Sequence, residues 1–191
     1  MDTVYIHADE SCLGNQNQKR SSPGGAAGLL EVWHDGAWER RDYWLSEPDT
    51  TNNRMALWSA IAPSRALRRP CRIVFTSDSQ YLVKGINEWR HGWKKAGWKQ
   101  KTGAIANLEL WKELDAAIGR HPAFEAHWVR GHEGHPENEY ADFLATTAAA
   151  EQSGSGGLVE SGFDAWLEEQ REKGKLLDYM EFQAPEVRYG K

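Results

Sequence analysis

The feature that most constrains this chain is a short alternating run that ends in acid. Val4, Ile6 and Ala8 alternate with Tyr5 and His7, the period-two pattern of a strand with one buried face, and the run closes on Asp9-Glu10-Ser11-Cys12-Leu13-Gly14-Asn15. Gly14 and Asn15 supply turn chemistry. A carboxylate is therefore delivered at the carboxyl end of a first strand, beside small and hydrogen-bonding residues. By itself that describes a turn former as well as a cation ligand, so the remainder of the chain has to decide.

The 191 residues suffice for one domain with a full core and an appendage. Cys12 and Cys71 lack metal-ligand spacing and no secretory pattern precedes them, which predicts a reducing, cytoplasmic setting. No apolar run approaches the roughly 18 residues of a membrane span. The net charge of -5 argues against a nucleic-acid partner until its distribution is read. Residues 151–191 hold nine acids and five bases, which leaves residues 1–150 almost neutral. Within them, residues 84–101 carry six bases (Lys84, Arg90, Lys94, Lys95, Lys99, Lys101) against Glu88 alone. Three of the ten tryptophans, Trp89, Trp93 and Trp98, lie in that basic segment.

In chain order, Gly24 to Val32 reads as a second strand, Asp35-Gly36 as a hairpin turn and Ala37 to Leu45 as a third strand. Pro48 and Asp49 are expected to break the sheet. Thr50 to Asn53 offers N-caps for a helix through Met55, Leu57, Trp58 and Ile61, which Pro63 should kink or end. Arg72 to Ser77 has the continuous apolar character of a central buried strand and ends in Asp78. Helical spacing runs from Ser79 to Trp98, then an exposed basic loop from Lys94 to Gly103, a helix from Asn107 to Ile118 and a fifth strand from Phe124 to Val129. A glycine-flexed loop, Gly131-His132-Glu133-Gly134-His135, leads to a helix opened by Pro136 and carrying Asp142. Residues 151–157 have linker composition. Residues 158–191 predict a short amphipathic helix through Phe163, Trp166, Leu167 and Gln170, closed by Gly174, and a tail whose apolar content points to docking on the domain or to a protein partner.

Asp9 and Asp78 end two strands, where open sheets place their binding crevices, and Asp142 lies about a turn inside the helix after the fifth strand. Convergent carboxylates suit magnesium, which takes oxygen ligands, water and substrate phosphate. Two such ions would clamp the attacking and leaving oxygens of a phosphoryl displacement and reverse the local charge that otherwise repels nucleic acid.

Taken together, Asp9 to Asn15, Thr50-Thr51-Asn52-Asn53-Arg54-Met55, Thr76-Ser77-Asp78-Ser79-Gln80-Tyr81, Trp93-Lys94-Lys95-Ala96-Gly97-Trp98 and Trp128 to Glu139 resemble the successive motifs of type 1 ribonuclease H, in order and at its spacing over about residues 1–150. The resemblance implies an α/β fold, a five-stranded mixed sheet (three antiparallel strands, then two parallel) flanked by helices. It implies an endonuclease that cuts the RNA strand of RNA/DNA hybrids with two Mg2+ or Mn2+ ions, leaving 3′-hydroxyl and 5′-phosphate ends, and acting as a monomer. By position, Asp9 would be shared by both metals, Asp78 would hold the metal beside the leaving oxygen, and Asp142 the one beside the attacking water. His132 would assist proton movement or product release. Cys12, Gly14, Asn15, Asn52 and Asn53 would lie against the riboses, with Gln80 part of the same nucleic-acid surface. Thr51 would join a DNA phosphate pocket, and Trp89, Trp93, Lys94, Lys95 and Lys99 would belong to a protrusion gripping the DNA strand.

One position departs from the pattern. Ala56 stands where the family carries its fourth acid, a glutamate that binds the leaving-side metal and a ribose 2′-hydroxyl. Glu47 and Asp49 precede the helix, and Glu10, next to Asp9 on a strand, is expected on the other face. The expectation is thus a chain that binds hybrid and cleaves it poorly, with a non-cleaving hybrid-binding module as the alternative. A single missing acid suits either a deliberate inactivation or a natural pseudoenzyme.

Overall fold

A computed structural model describes residues 2–14, 22–131 and 135–179. Its centre is one sheet formed by β1 (Thr3–Cys12), β2 (Ser22–His34), β3 (Ala37–Thr50), β4 (Arg72–Ser77), β5 (Ala123–Trp128) and β6 (Val159–Glu160). The order is β5-β4-β1-β2-β3-β6. The first three strands are antiparallel neighbours, while β4 and β5 add in parallel on the far side of β1. That is the predicted mixed sheet with a correction: there are six strands rather than five, because the segment after the expected linker contributes a two-residue edge pairing, Arg41 with Glu160 and Asp42 with Val159.

Helices cover both faces. Val4, Ile6 and Ala8 of β1 point into the larger core with α1 (Asn52–Ala66) and α4 (Leu108–Ile118), around Leu57, Ile61, Trp111 and Leu114. The opposite face receives α5 (Pro136–Glu151), whose buried Ala141, Ala145, Ala148 and Ala149 allow very close approach. Gly25 on β2 lies directly beneath the backbone of Ala145 and Ala149, and any Cβ there would collide with it. Between β4 and α4 the chain runs through α2 (Gln80–Lys84), a π-helical turn (Gly85–Trp89) and α3 (Arg90–Lys95), so the predicted basic helix is real but interrupted. A π turn adds a residue per turn and so rotates α3 relative to α2.

One proline behaves differently from expectation, and at the other one of the two expected outcomes is excluded, since the helix does not end there. Pro48 does not break β3, which continues to Thr50; the pairing skips from Gly24–Glu47 to Ser22–Thr50, so Pro48 and Asp49 are absorbed in a bulge on the outer strand, where a missing N–H is tolerated. Pro63 sits inside α1, which runs on to Ala66. A proline deprives the carbonyl four residues earlier of its donor, here Ser59, and the buried Tyr43 hydroxyl donates to that oxygen instead.

The last segment is built onto the sheet. Ser153 and Ser155 hydrogen-bond to Ser46 and to both backbone groups of Trp44, so the glycine- and serine-rich stretch lies along β3. The helix α6 (Phe163–Glu172) buries Phe163, Trp166 and Leu167 against Leu29 and Tyr140. Its entry is fixed by the Asp42 carboxylate, which accepts from Tyr140 Oη (2.6 Å), Ser161 Oγ (2.6 Å) and Gly162 N (2.9 Å). Arg40 spans Glu31 and Asp164 while its guanidinium lies 5.0 Å from the Phe163 ring centroid. Tyr179 then donates to Glu137 Oε1 at 2.7 Å, which carries the tail back to the start of α5. Met180 and Phe182 of the predicted tail fall outside the described residues. No helix among the described residues is long and apolar enough to cross a membrane.

Removing the Tyr43 hydroxyl (Tyr43→Phe) leaves a buried carbonyl unpaired and is expected to lower stability by about 1–3 kcal/mol in chemical denaturation. Adding Pro63→Ala, which returns a helical donor to Ser59, should recover part of that loss.

Candidate active site

The parallel pairing of β1 with β4 aligns Ala8 with Ser77, so the next residue on each strand, Asp9 and Asp78, emerges at the same edge of the sheet. Asp9 is 4% exposed. Its Oδ1 accepts from Glu10 N at 2.7 Å and its Oδ2 from Asn138 Nδ2, on α5, at 3.3 Å. Asp78 is seated against Gly131, where a Cβ would run into its Oδ2. Trp128, at the end of β5, donates from its indole N–H to the Asp78 carbonyl at 2.9 Å, with its ring 46% exposed at the rim.

Glu10 is where the structure overturns the sequence reading. Strand alternation does send it to the face opposite Asp9, in step with Val4, Ile6 and Ala8. That face is the one α1 covers, and Ala56, fully buried there, has no side chain beyond Cβ. β4 pairs with β1 only as far as Ala8, so Glu10 lies past the last paired residue on that side, where a long side chain has room to reach its neighbours. Ligand oxygens of Asp9, Glu10 and Asp78 all lie within 4.8 Å of one another. The sequence signal that could have found it was the acidic doublet itself, read by reach rather than by face.

The electrostatics reflect crowding. Burial, then the carboxylates of Asp78, Glu10 and Asp142, push Asp9 up to about 9, with the Glu10 N–H working in the opposite direction. Burial and Asp78 raise Glu10 to about 8, against the lowering effect of a hydrogen bond from Ser79. Among the described residues four buried side-chain atoms lack a hydrogen bond: Glu10 Oε2, Asn138 Oδ1, Asn52 Oδ1 and His7 Nε2. The last lies 3.2 Å from Glu31 Oε2, near enough for an ion pair but not aligned for a hydrogen bond. The other three are acceptors, and two belong to Glu10 and to the Asn138 that holds Asp9. Hard oxygen donors, self-repelling and partly unsatisfied, fit a hard divalent cation.

The other predicted residues are spread more widely. Asp142 lies on α5 within electrostatic range of Asp9 but is not one of the three clustered acids; Thr146 Oγ1 is 3.5 Å from its Oδ1. His132 and Asn15 fall outside the described residues. Cys12 ends β1, with burial and Glu10 raising its thiol to about 11, and Gly14 takes a left-handed φ of 89°. Thr51 caps α1, accepting from Arg54 N, and Asn52 and Asn53 form its first turn. Gln80 opens α2 and is exposed. Trp89 is exposed, whereas Trp93 packs on the core with its ring 5.5 Å from that of Trp111. Lys95 and Lys99 are exposed, but Lys94 and Arg90 both pair with Asp115 on α4, at 2.8 Å and 2.5 Å. The focused positive charge is therefore partly neutralised by a residue from a distant part of the sequence.

Two outcomes are expected. Asp9 and Glu10 ordinarily titrate at 3.8 and 4.5, so with folded values near 9 and 8 the native chain binds more protons than the unfolded one across that window. Stability of the metal-free chain should therefore fall as pH rises from about 4 to about 9, and millimolar Mg2+ should flatten the dependence. Relieving the repulsion with Asp78→Asn should stabilise the metal-free chain by roughly 1–2 kcal/mol near neutral pH, with a smaller gain from Mg2+ than the parent shows in thermal melts.

Residues 1–150 match the RNase H family model. The chain is 46% identical over 145 residues to a ribonuclease H of Stutzerimonas stutzeri (strain A1501), covering 75% of this chain and 89% of the relative. It is 46% identical over 154 residues to a ribonuclease H of Dechloromonas aromatica (strain RCB), covering 80% of this chain and 97% of that one. The crystal structure of LC9-RNase H1, described as a type 1 RNase H with the type 2 active-site motif, superposes with a TM-score of 0.81 at 51% identity, over 87% of this chain and 81% of the other. With the sheet order, the acidic strand ends and these likenesses in agreement, the chain belongs to the type 1 ribonuclease H family.

Proposed function

We propose that this chain is a competent metal-dependent endonuclease that hydrolyses the RNA strand of RNA/DNA hybrids, with Glu10 replacing the acid absent at Ala56. The observation that carries this reading is the convergence of Asp9, Glu10 and Asp78 within 4.8 Å. The expectation of poor cleavage takes Glu10 to be out of reach of the site; the distance of its carboxylate from Asp9 and Asp78 supports the competent reading. Asp9, Glu10 and Asp78 would hold magnesium or manganese, and Asp142, nearby on α5, would complete a second site. When bound, two such cations supply charge neutralisation at the phosphate and activation of water. The protein's own contribution is positioning: Gly131 gives Asp78 room, Ser79 hydrogen-bonds Glu10, and Asn138 holds Asp9. His132 is assigned proton movement or product release.

Substrate binding would use two surfaces. Asn52, whose buried Oδ1 has no hydrogen bond, offers an acceptor suited to a ribose 2′-hydroxyl, alongside Cys12, Gly14, Asn15, Asn53 and Gln80. Thr51, Trp89, Trp93, Lys94, Lys95 and Lys99 would meet the DNA strand, with Lys95 and Lys99 the more available charges because Lys94 shares Asp115 with Arg90.

Hybrid cleavage by the parent, Glu10→Gln and Ala56→Glu separates the readings. Competence through Glu10 predicts Mg2+-dependent cleavage by the parent, a loss of roughly 100-fold in kcat for Glu10→Gln, and no large gain for Ala56→Glu. An inert parent rescued by Ala56→Glu would instead establish the non-cleaving, hybrid-binding reading. For the protrusion, Lys95→Ala and Lys99→Ala should each weaken hybrid binding and reduce the slope of log affinity against log salt by about 1.

A further inference from the structure

Asn138 lies in the first turn of α5 and is 2% exposed. Its amide has two halves with different fates. Nδ2 donates to Asp9 Oδ2 at 3.3 Å, and since Asp9 Oδ1 accepts from Glu10 N, the carboxylate is held at both oxygens. Oδ1 is buried and has no hydrogen-bond partner among the described residues. The next buried side chains along this face, Ala141 and Ala145, are apolar, so packing alone gives no reason for an amide here. A buried acceptor without a donor is costly unless something supplies the donor.

We infer that Asn138 is a positioning residue for the metal site. Its N–H fixes the Asp9 carboxylate, and its unmatched Oδ1 accepts a hydrogen bond from water held by a cation at Asp9, Glu10 and Asp78. This rests on the metal-dependent reading above. An amide is the side chain of this size that provides both groups without adding charge. A carboxylate would add repulsion to a cluster that already raises its own protonation, and an aliphatic group would leave Asp9 Oδ2 without its donor. Partners of this kind orient metal ligands, and their loss characteristically lowers metal affinity or activity about 10–100-fold.

The test is calorimetric titration of Mn2+ into the full chain and into Asn138→Ala and Asn138→Leu, with melts in chelator and steady-state cleavage of a hybrid. Expected are a roughly 10–100-fold loss of Mn2+ affinity in both variants, a fall in kcat with KM for hybrid little changed, and a metal-free melting temperature for Asn138→Leu close to the parent's. A folded Asn138→Leu that binds Mn2+ as tightly as the parent overturns the inference whatever its activity. Should both variants fail to fold, the Asn138 side-chain amide resonance of the parent is followed during Mg2+ titration; a shift at stoichiometric binding supports the role and an unmoved resonance overturns it. A parent that binds Mn2+ and cleaves while the variants match it defeats only the inference. A parent that neither binds Mn2+ nor cleaves defeats the metal-dependent reading as well.

Discussion

The parallel register of β1 against β4 is the constraint on which the site depends. Pairing Ala8 with Ser77 brings two strand ends level, and each then continues into an acid. Slippage by one residue would turn one carboxylate to the opposite face and separate the pair. The apolar strands that enforce this register, with Ile6 and Phe75 fully buried between helices, therefore hold like charges together against their repulsion. The hydrophobic core supplies the force, and burial together with the neighbouring carboxylates raises the affinities of Asp9 and Glu10 for protons.

Much of this was legible in the sequence because it depended on local pattern. Alternation and turn residues located the strands, apolar spacing located α1 and α4, Pro136 marked the start of α5, and strand ends identified Asp9 and Asp78. What escaped depended on reach and on distant partners. Alternation assigns Glu10 to a face but says nothing about how far a flexible side chain extends at a strand end, nor that Ala56 lies on the face to which it was assigned. Arg90 and Lys94 look like free cations in a basic segment, and only the packing of α3 near α4 reveals Asp115 between them. Pro63 reads as a kink or an end of the helix, and that the helix runs on depends on a hydroxyl from Tyr43, on another element, which satisfies Ser59.

The same distinction applies to Asn138. In sequence it is one polar residue in the first turn of a helix, a position where polar residues are ordinary. Its meaning comes from α5 lying close enough to the sheet, over Gly25 and through four alanines, for an amide to reach across to β1. Small residues in the contact thus determine which polar groups can touch the acids.

The segment after α5 has a consequence for the protein among its own copies. β3 is a 14-residue strand at the margin of the sheet, and an uncovered margin of that length is a template on which another chain can pair. Here β6 occupies Arg41 and Asp42, Ser155 satisfies both backbone groups of Trp44, and Pro48 has no N–H to offer further along. The appended residues thereby cover part of a border on which another strand could pair, away from the acidic cluster at the ends of β1 and β4.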